Sequence, residues 1–445
     1  MQEANPEFEA IELREAWWVL SMPERLQGFR LLAPDPAEEF FFDLSPHDQA
    51  ELLLALPSAE RRLWIRLLAP DDAADLIQET PEEHRAELLA LLDEPTRKEV
   101  TALLAYAEDA AGGLMSSRFA RVRPDMKVDE AISYLRRQAV SSIEPETIYY
   151  VYVLDAQQRL QGVVSFRDLF AAPGDRTVRS VMNADVVSVP EEMDQEAVAR
   201  LFAEHDLLAL PVVDAQGVLK GIVTVDDIVD VVEEEATEDI QKYGGMEALD
   251  EPYLRIGFAN LMKKRVGWLA ILFIGQMFTV TALGRFRDQM AIVTALALFV
   301  PLIISSGGNS GSQASTLVIR AMAVGEVRAR DWWRIARREL AAGLALGAVL
   351  GLLGLLAVTL APLLGVASYD AGLTVGLLGA VVGLSVLGVV MFGTLVGSML
   401  PFVLRMIGLD PASASAPLVA TVVDVSGLLI YFTVATLLLR ELMSR

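Results

Sequence analysis

The sequence has no cysteine and only three histidines, His47, His84 and His205. The first absence excludes disulfides, thiolate metal sites and cysteine nucleophiles. The second leaves no imidazole cluster for a zinc or iron site. Basic residues are also scarce: 37 Lys and Arg face 60 Asp and Glu over 445 residues, a formal net charge of −23. A nucleic-acid partner is not expected, because such proteins carry a basic footprint. No Walker-type glycine-rich loop ending in Lys occurs, which argues against a nucleotide-driven pump. No nucleophile–base set stands out, so the chain does not read as an enzyme. The first twenty residues carry Glu3, Glu7, Glu9, Glu12 and Glu15 in place of the basic start and apolar run of a secretory signal.

What is present divides the chain in two. Residues 1–252 hold 22 Lys and Arg against 52 Asp and Glu, a net of −30; residues 253–445 hold 15 against 8, a net of +7. An acidic half followed by an apolar, mildly basic half reads as a water-soluble module joined to a membrane module.

Five apolar stretches follow residue 265, at roughly 266–284, 291–318, 340–365, 373–403 and 413–439. Each reaches the ~20 residues that cross a hydrocarbon core. The second contains Pro301 and then Ser305-Ser-Gly-Gly-Asn-Ser-Gly-Ser-Gln313. That run predicts a broken span held against protein or a watery cavity, not a plain lipid-facing helix. Lys263, Lys264 and Arg265 precede the first stretch, and Arg320, Arg328, Arg330, Arg334, Arg337 and Arg338 lie between the second and third. The connection before the fourth has only Asp370, while Arg285 and Arg287 give a minor counter-signal. The bias places the N-terminal half in the cytoplasm and, with five spans, the C-terminus outside a plasma membrane.

Asp424 falls in mid-span, within Ala420-Thr-Val-Val-Asp-Val-Ser-Gly427. An ionised group at the centre of a membrane helix costs about 2.5–3.5 kcal/mol on insertion scales, so it marks a functional position by default. Asp410, before Pro411 at the mouth of the same span, reads equally as a site residue or a helix cap. Asn309, with its flanking Gly and Ser, supplies hard neutral oxygens. Carboxylate, amide and carbonyl together suit Mg²⁺ or Ca²⁺. One carboxylate per chain is sparse for a divalent ion, which favours a site shared on a dimer axis.

In the soluble half, residues 1–120 repeat short apolar helices set off by Ser45-Pro46, Leu56-Pro57, Ala69-Pro70, Thr80-Pro81 and Glu94-Pro95. This predicts an all-α superhelix. Glu51, Asp71, Asp72, Asp75, Glu82, Glu83 and Glu87 are expected on its solvated faces. Residues 121–240 contain a repeat: Ile148-Tyr-Tyr-Val-Tyr-Val-Leu-Asp155 with Leu160-Gln-Gly-Val-Val-Ser-Phe-Arg-Asp168, then Leu207-Leu-Ala-Leu-Pro-Val-Val-Asp214 with Leu219-Lys-Gly-Ile-Val-Thr-Val-Asp-Asp227. Each copy follows a Met-containing segment, at Met115 and Met182. Strand, turn, strand and helix in tandem resemble a pair of CBS domains. That resemblance implies an adenine-nucleotide role for Ser165 with Asp168 and Thr224 with Asp227; the plainer role is helix capping. A carboxylate-dense stretch runs from Asp226 to Asp239, and residues 241–265 are expected to form a connecting helix, acidic at its start and basic at its end.

The order of parts resembles the MgtE family of magnesium channels. The most specific matches are Glu108-Asp-Ala-Ala-Gly-Gly-Leu-Met115, Glu235-Ala-Thr-Glu-Asp239, Gly307-Gly-Asn-Ser-Gly-Ser-Gln313 and Pro417-Leu-Val-Ala-Thr-Val-Val-Asp-Val-Ser-Gly-Leu-Leu-Ile-Tyr431. The resemblance implies a multidomain membrane protein: a superhelical N-domain (1–120), an α/β tandem CBS pair (121–240), a connecting helix (241–265) and an all-α five-span pore domain (266–445). It implies a homodimer in the bacterial inner membrane with a pore on the two-fold axis. Asp424, Asn309, Ala420 and Asp410 would line the Mg²⁺ path. Glu51, Glu83, Glu87, Asp206, Asp226, Asp239, Glu247, Asp250 and Glu251 would hold regulatory Mg²⁺ that closes the pore. Leu208 departs from the pattern, where an acid would serve. ATP or another adenine nucleotide is a further implied ligand. The competing expectations are a membrane-anchored CBS sensor and a broader divalent channel for Mn²⁺, Co²⁺ or Ca²⁺.

Overall fold

The computed structural model describes residues 10–139, 145–147, 149–249, 251–287, 295–365, 369 and 374–439. They fall into two compact units, Met1–Glu234 and Glu235–Arg445.

The first unit begins with short helices α1 (Ala10–Ala16), α2 (Met22–Leu31), α3 (Pro34–Phe42), α4 (Pro46–Ala55), α5 (Ser58–Ile65), α6 (Pro70–Glu79), α7 (Glu82–Leu91) and α8 (Glu94–Leu103). Proline stands at the first or second position of α2, α3, α4, α6 and α8, where its missing N–H removes no helical bond. Ser45 caps α4 by accepting the Asp48 N–H at 3.2 Å. Each helix is too short to persist alone. They hold because each buries an apolar stripe in one core, with Trp17 edge-on to Phe40 and with Leu52, Leu53, Ile65 and Leu76 fully enclosed. That core continues into Val198, Phe202, Leu210 and Val223 of the second sequence repeat.

A short turn of helix, α9 (Ala111–Leu114), leads to the repeats. In the first, β1 (Arg121–Val122) runs parallel to β2 (Tyr150–Leu154), which pairs antiparallel with β3 (Leu160–Ser165); α10 (Val128–Ala139) and α11 (Phe166–Ala171) flank them. The second repeats this with β4 (Val189–Pro190), α12 (Gln195–His205), β5 (Ala209–Val213) and β6 (Leu219–Thr224). Tyr150 faces Ser165 as Ala209 faces Thr224, and the register slips after Val153 and after Val212 alike. The Met-containing segments are exchanged between copies. Ser116 bridges to Ile222 of the second repeat, and Asn183 bridges to Val163 of the first. Gly162 and Gly221 make room: a Cβ there would stand 2.8 Å from the sulfur of Met182 or Met115.

Helix α13 (Val225–Tyr243) follows β6 without a break. The expected connecting helix over 241–265 is corrected by this: 246–257 is not helical where described, and Phe258 already starts the first long apolar helix. The acid-rich stretch 226–239 is itself the helical part, because its Ile228 and Val231 bury one face while its carboxylates point elsewhere.

The second unit is built from α14 (Phe258–Arg285), α15 (Ala295–Ala323), α16 (Trp332–Leu360), α17 (Val375–Met406) and α18 (Ala416–Leu438). Among the described residues, four helical stretches, Phe258–Arg285, Ala329–Leu360, Val375–Met406 and Ala416–Leu438, are long and apolar enough to cross a membrane. Helix α15 falls short because of its polar middle. The expected break in it is not found: α15 runs through Pro301 and the whole polar run as one helix. The reason is packing. Gly307 and Gly311 meet Gly393 and Gly397 of α17 so closely that a Cβ at either α17 glycine would overlap the opposing carbonyl. Ser310 Oγ pairs with Thr394 Oγ1 at 2.9 Å, and Ser315 Oγ donates to the Ala414 carbonyl at 2.8 Å. Near Pro301, the Tyr431 hydroxyl donates to the Leu296 carbonyl at 2.8 Å. One face of the run, with Gly307, Gly308, Ser310 and Gly311, is thus buried against α17 and α18, as small-residue helix packing in a membrane requires, while Ser305, Asn309 and Gln313 stay exposed.

Candidate functional site

A cavity of about 420 Å³ lies between α14, α15 and α18. Helix α15 lines it with Pro301, Ile304, Ser305, Gly308, Asn309 and Ser312; α18 adds Ala420 and Asp424. Three of the residues expected from sequence, Asn309, Ala420 and Asp424, therefore share one wall-to-wall space. Their convergence follows from helix geometry: Ser305, Gly308, Asn309 and Ser312 recur at three- and four-residue steps, as Ala420 and Asp424 do. The remaining wall comes from Gln276 and Thr279 of α14, which sequence reading did not single out. Gln276, the one amide side chain in the apolar stretch 266–284, with Thr279 three residues on, was the available signal. Asp424 Oδ2 accepts the Gln276 amide at 2.6 Å. Among the described residues no Lys or Arg forms an ion pair with Asp424. The space thus offers one carboxylate among neutral oxygens, the donor set of a hard, hydrated cation.

Asp410 is placed elsewhere, at the foot of α18. It caps the turn Pro411–Ser413, with Oδ1 accepting the Ala412 N–H at 2.8 Å, and its Oδ2 accepts Lys242 Nζ at 2.7 Å. Lys242 also pairs with Glu238. Burial alone would lower the lysine's pKa, but these two carboxylates hold it above its ordinary value. Beside it, the Tyr243 hydroxyl donates to the Ser312 carbonyl at 2.9 Å. Gly245, with φ of +78°, sits against Trp268 and Pro417, and the Trp268 indole donates to Ser415 Oγ at 3.3 Å. The end of α13 is therefore fastened to the same end of α15 and α18 that carries Asp410 and Ser312.

The first unit holds a different arrangement. Asp71, Asp72 and Asp75 of α6 lie among Asp226, Asp227 and Asp230 of α13, with Glu146 alongside. Asp71 is buried, not on the solvated face that its sequence context suggested. Its Oδ1 has no hydrogen-bond partner among the described residues. The crowding raises the acids' pKa values. Asp72 is pushed up to about 6 by desolvation and by Asp71. Glu146 rises to about 7 through desolvation, then Asp71 and Asp72. Asp227 rises to about 8, chiefly through desolvation, despite the Thr224 hydroxyl that donates to it at 2.8 Å. Desolvation likewise raises Asp75 well above the usual range. Among the described residues no three acidic or imidazole groups converge as a closed all-protein metal site. Carboxylates that crowd without closing on a common point suit an ion that keeps part of its water shell, as Mg²⁺ does.

The other expected regulatory residues are spread. Glu51 pairs with Arg25 at 3.3 Å, Glu87 with Arg61 at 3.0 Å, and Glu83 approaches His84 at 3.7 Å. Asp206 ends α12 in a left-handed conformation, φ 51°. Asp226 joins the acidic cleft, Asp239 lies on α13, and Glu247 donates its N–H to the Lys264 carbonyl at 3.2 Å. Glu251 is half-buried, and Asp250 lies outside the described residues. The nucleotide candidates take the capping role in both repeats: Ser165 Oγ donates to Asp168 at 2.6 Å, as Thr224 Oγ1 does to Asp227. They differ in setting, because only Asp227 stands among other acids.

Family models match along most of the chain: a divalent cation transporter model over residues 300–434, the MgtE intracellular N domain over 9–109, and the CBS domain over 111–175 and 178–234. The magnesium transporter MgtE of Thermus thermophilus is 48% identical over 344 residues, covering 77% of this chain and 73% of that protein. That of Enterococcus faecalis is 34% identical over 343 residues, covering 77% and 72%. The solved cytosolic domain of the Mg²⁺ channel MgtE in complex with ATP is 44% identical, with a TM-score of 0.46, covering 50% of this chain and 90% of that one. By its relatives and by the order of its domains, this chain belongs to the MgtE family of divalent cation transporters.

Proposed function

We propose that the protein conducts Mg²⁺ into the cell and is closed by cytosolic Mg²⁺. The observation that carries the reading is Asp424, a lone carboxylate in mid-helix that opens onto a cavity otherwise lined by neutral oxygens and small residues. Such a site attracts a divalent ion without stripping its water, so the ion can leave again. A second copy of the chain, related by a two-fold axis beside the cavity, would supply a second Asp424. With the N-terminal half in the cytoplasm and the C-terminus outside, a divalent ion moving inward gains about 4.6 kcal/mol per 100 mV, twice the single-charge value. No coupled ion or nucleotide hydrolysis is then required.

Closure follows from differential binding. The acids of α6 and α13 repel one another, and Mg²⁺ would relieve that repulsion and favour the compact state. Glu51, Glu83, Glu87, Asp206, Asp239, Glu247, Asp250 and Glu251 would add to the same response. ATP or a related nucleotide would bind the CBS pair through Ser165 and Asp168 more readily than beside Asp227, where the phosphates would meet the crowded acids.

Mg²⁺ influx into liposomes holding the purified chain tests the reading, with Asp424→Ala measured beside it. Influx in the parent that is lost in Asp424→Ala at unchanged assembly supports it. Undiminished influx in the variant overturns it and leaves a membrane-anchored sensor as the better account. Competition by Mn²⁺, Co²⁺ and Ca²⁺ in the same assay separates a Mg²⁺ channel from a general divalent one.

A further inference from the structure

We infer that Gln276 of α14 is the positioning residue for Asp424 and that, with Thr279, it makes α14 a wall of the ion path. The inference rests on the pore reading above and adds to it residues from a helix with no expected site. Above its basic start at Lys263-Lys264-Arg265, helix α14 presents apolar side chains outward around this position, with Ile271, Phe273, Ile274, Met277 and Phe278 all exposed. A glutamine amide in such a helix is unfavourable unless it has a partner. Its partner is the carboxylate itself, at 2.6 Å.

Two contacts set that reach. Trp268 bonds Ser415 at the foot of α18. Gly275 lets α14 approach so closely that a Cβ there would stand 2.9 Å from Thr421. Gln276 then meets Asp424 on the next step up the same pair of helices. The two helices rise together, so packing from below brings the Gln276 backbone within side-chain reach of Asp424.

The chemistry favours an amide over the alternatives. A carboxylate accepts at both oxygens. One N–H occupies Oδ2 and leaves Oδ1 for an ion or its water. Lys or Arg at 276 would also hold the carboxylate, but would cancel its charge and repel a cation. The second observation is Thr279, whose Oγ1 is buried and without a hydrogen-bond partner among the described residues, though it lines the same cavity. A hydrated cation presents water hydrogens outward, so its path needs acceptors. Gln276 Oε1 is an acceptor on the α14 side, and rotation about the Thr279 Cα–Cβ bond would bring a second, Oγ1, to the cavity that Asn309 and Ser305 line from α15.

The test is Mg²⁺ influx into liposomes by the full chain carrying Gln276→Met, which keeps size and removes the amide, and Thr279→Val, which keeps shape and removes the hydroxyl. Both are read as half-saturating Mg²⁺ and maximal rate separately. A hydrogen bond to a charged group is worth about tenfold in affinity. Gln276→Met is expected to raise half-saturation about tenfold with the melting temperature of the protein unchanged. Thr279→Val is expected to raise it about threefold, as a lost neutral hydrogen bond would. If Gln276→Met does not assemble, Gln276→Asn keeps the amide one methylene short and is expected to fall between parent and Met. Gln276 variants with the parent's half-saturation, alongside an Asp424→Ala that has lost influx, overturn this inference and leave the pore reading standing. Influx undiminished in Asp424→Ala removes both.

Discussion

The acidic cleft of the first unit and the cavity of the second use carboxylates on opposite plans. In the acidic cleft, Asp71, Asp72, Asp75, Asp226, Asp227, Asp230 and Glu146 crowd together, and several rise toward neutral pKa values. In the membrane cavity, Asp424 stands alone with Gln276, Asn309 and hydroxyls. Crowded acids store repulsion that a cation can release, so they respond to ion concentration. A solitary acid among neutral oxygens binds weakly enough to let go. On the proposed reading, sensing and passage call for different charge densities, with the crowded acids suited to the first and Asp424 to the second.

The largest expected effect breaks the comparison at its single point. Asp424→Asn keeps the shape and the Gln276 contact but removes the charge, and influx is expected to fall at least a hundredfold. Neutralising the crowded site sharpens the other half. Asp71→Asn with Asp227→Asn is expected to keep influx at low Mg²⁺ and to lose its suppression by Mg²⁺ on the domain side. Protection of the first unit from protease should then no longer depend on Mg²⁺.

A pH series separates the two sites further. The cleft acids have native pKa values above the ~4 of an unfolded carboxylate. Their protonated forms therefore favour the compact unit, fully so below about pH 4, and this support is lost as pH rises through about 6 for Asp72, 7 for Glu146 and 8 for Asp227. In chelator, the full chain should become more protease-sensitive across that window, and added Mg²⁺ should restore protection most at the alkaline end. A smaller effect is expected at Asp410. Lys242→Met removes an ion pair that is partly exposed, worth ~1 kcal/mol. Influx at closing Mg²⁺ should rise about fivefold, with influx at low Mg²⁺ unchanged.

Much of this was legible in the sequence because it rests on local pattern. Proline spacing marks the helices of the first unit, and the repeated strand–turn–strand signature marks the CBS pair, to which the structure adds matching register slips. Asp424 is visible because charge in an apolar run is rare. What sequence could not supply depended on packing between distant segments. The polar run 305–313 reads as a break, yet it is helical because Gly393 and Gly397 lie opposite it. Asp71 reads as solvated, yet it is buried, with Ser116 and Arg118 brought beside it from 45 and 47 positions away. Gln276 meets Asp424 across 148 positions, a contact no periodicity within α14 encodes. The exchange of Met115 and Met182 between repeats was hidden for the same reason.

The central claim is that one ion is passed by the solitary carboxylate and sensed by the crowded ones. It is tested most directly by Mg²⁺ influx into liposomes as Mg²⁺ on the domain side is stepped upward, for the parent, Asp424→Asn and Asp71→Asn with Asp227→Asn. The account predicts influx in the parent that falls with each step, none at any step in Asp424→Asn, and steady influx in the cleft variant. Influx in Asp424→Asn equal to the parent's, or a cleft variant that closes at the parent's Mg²⁺ concentration, would contradict it.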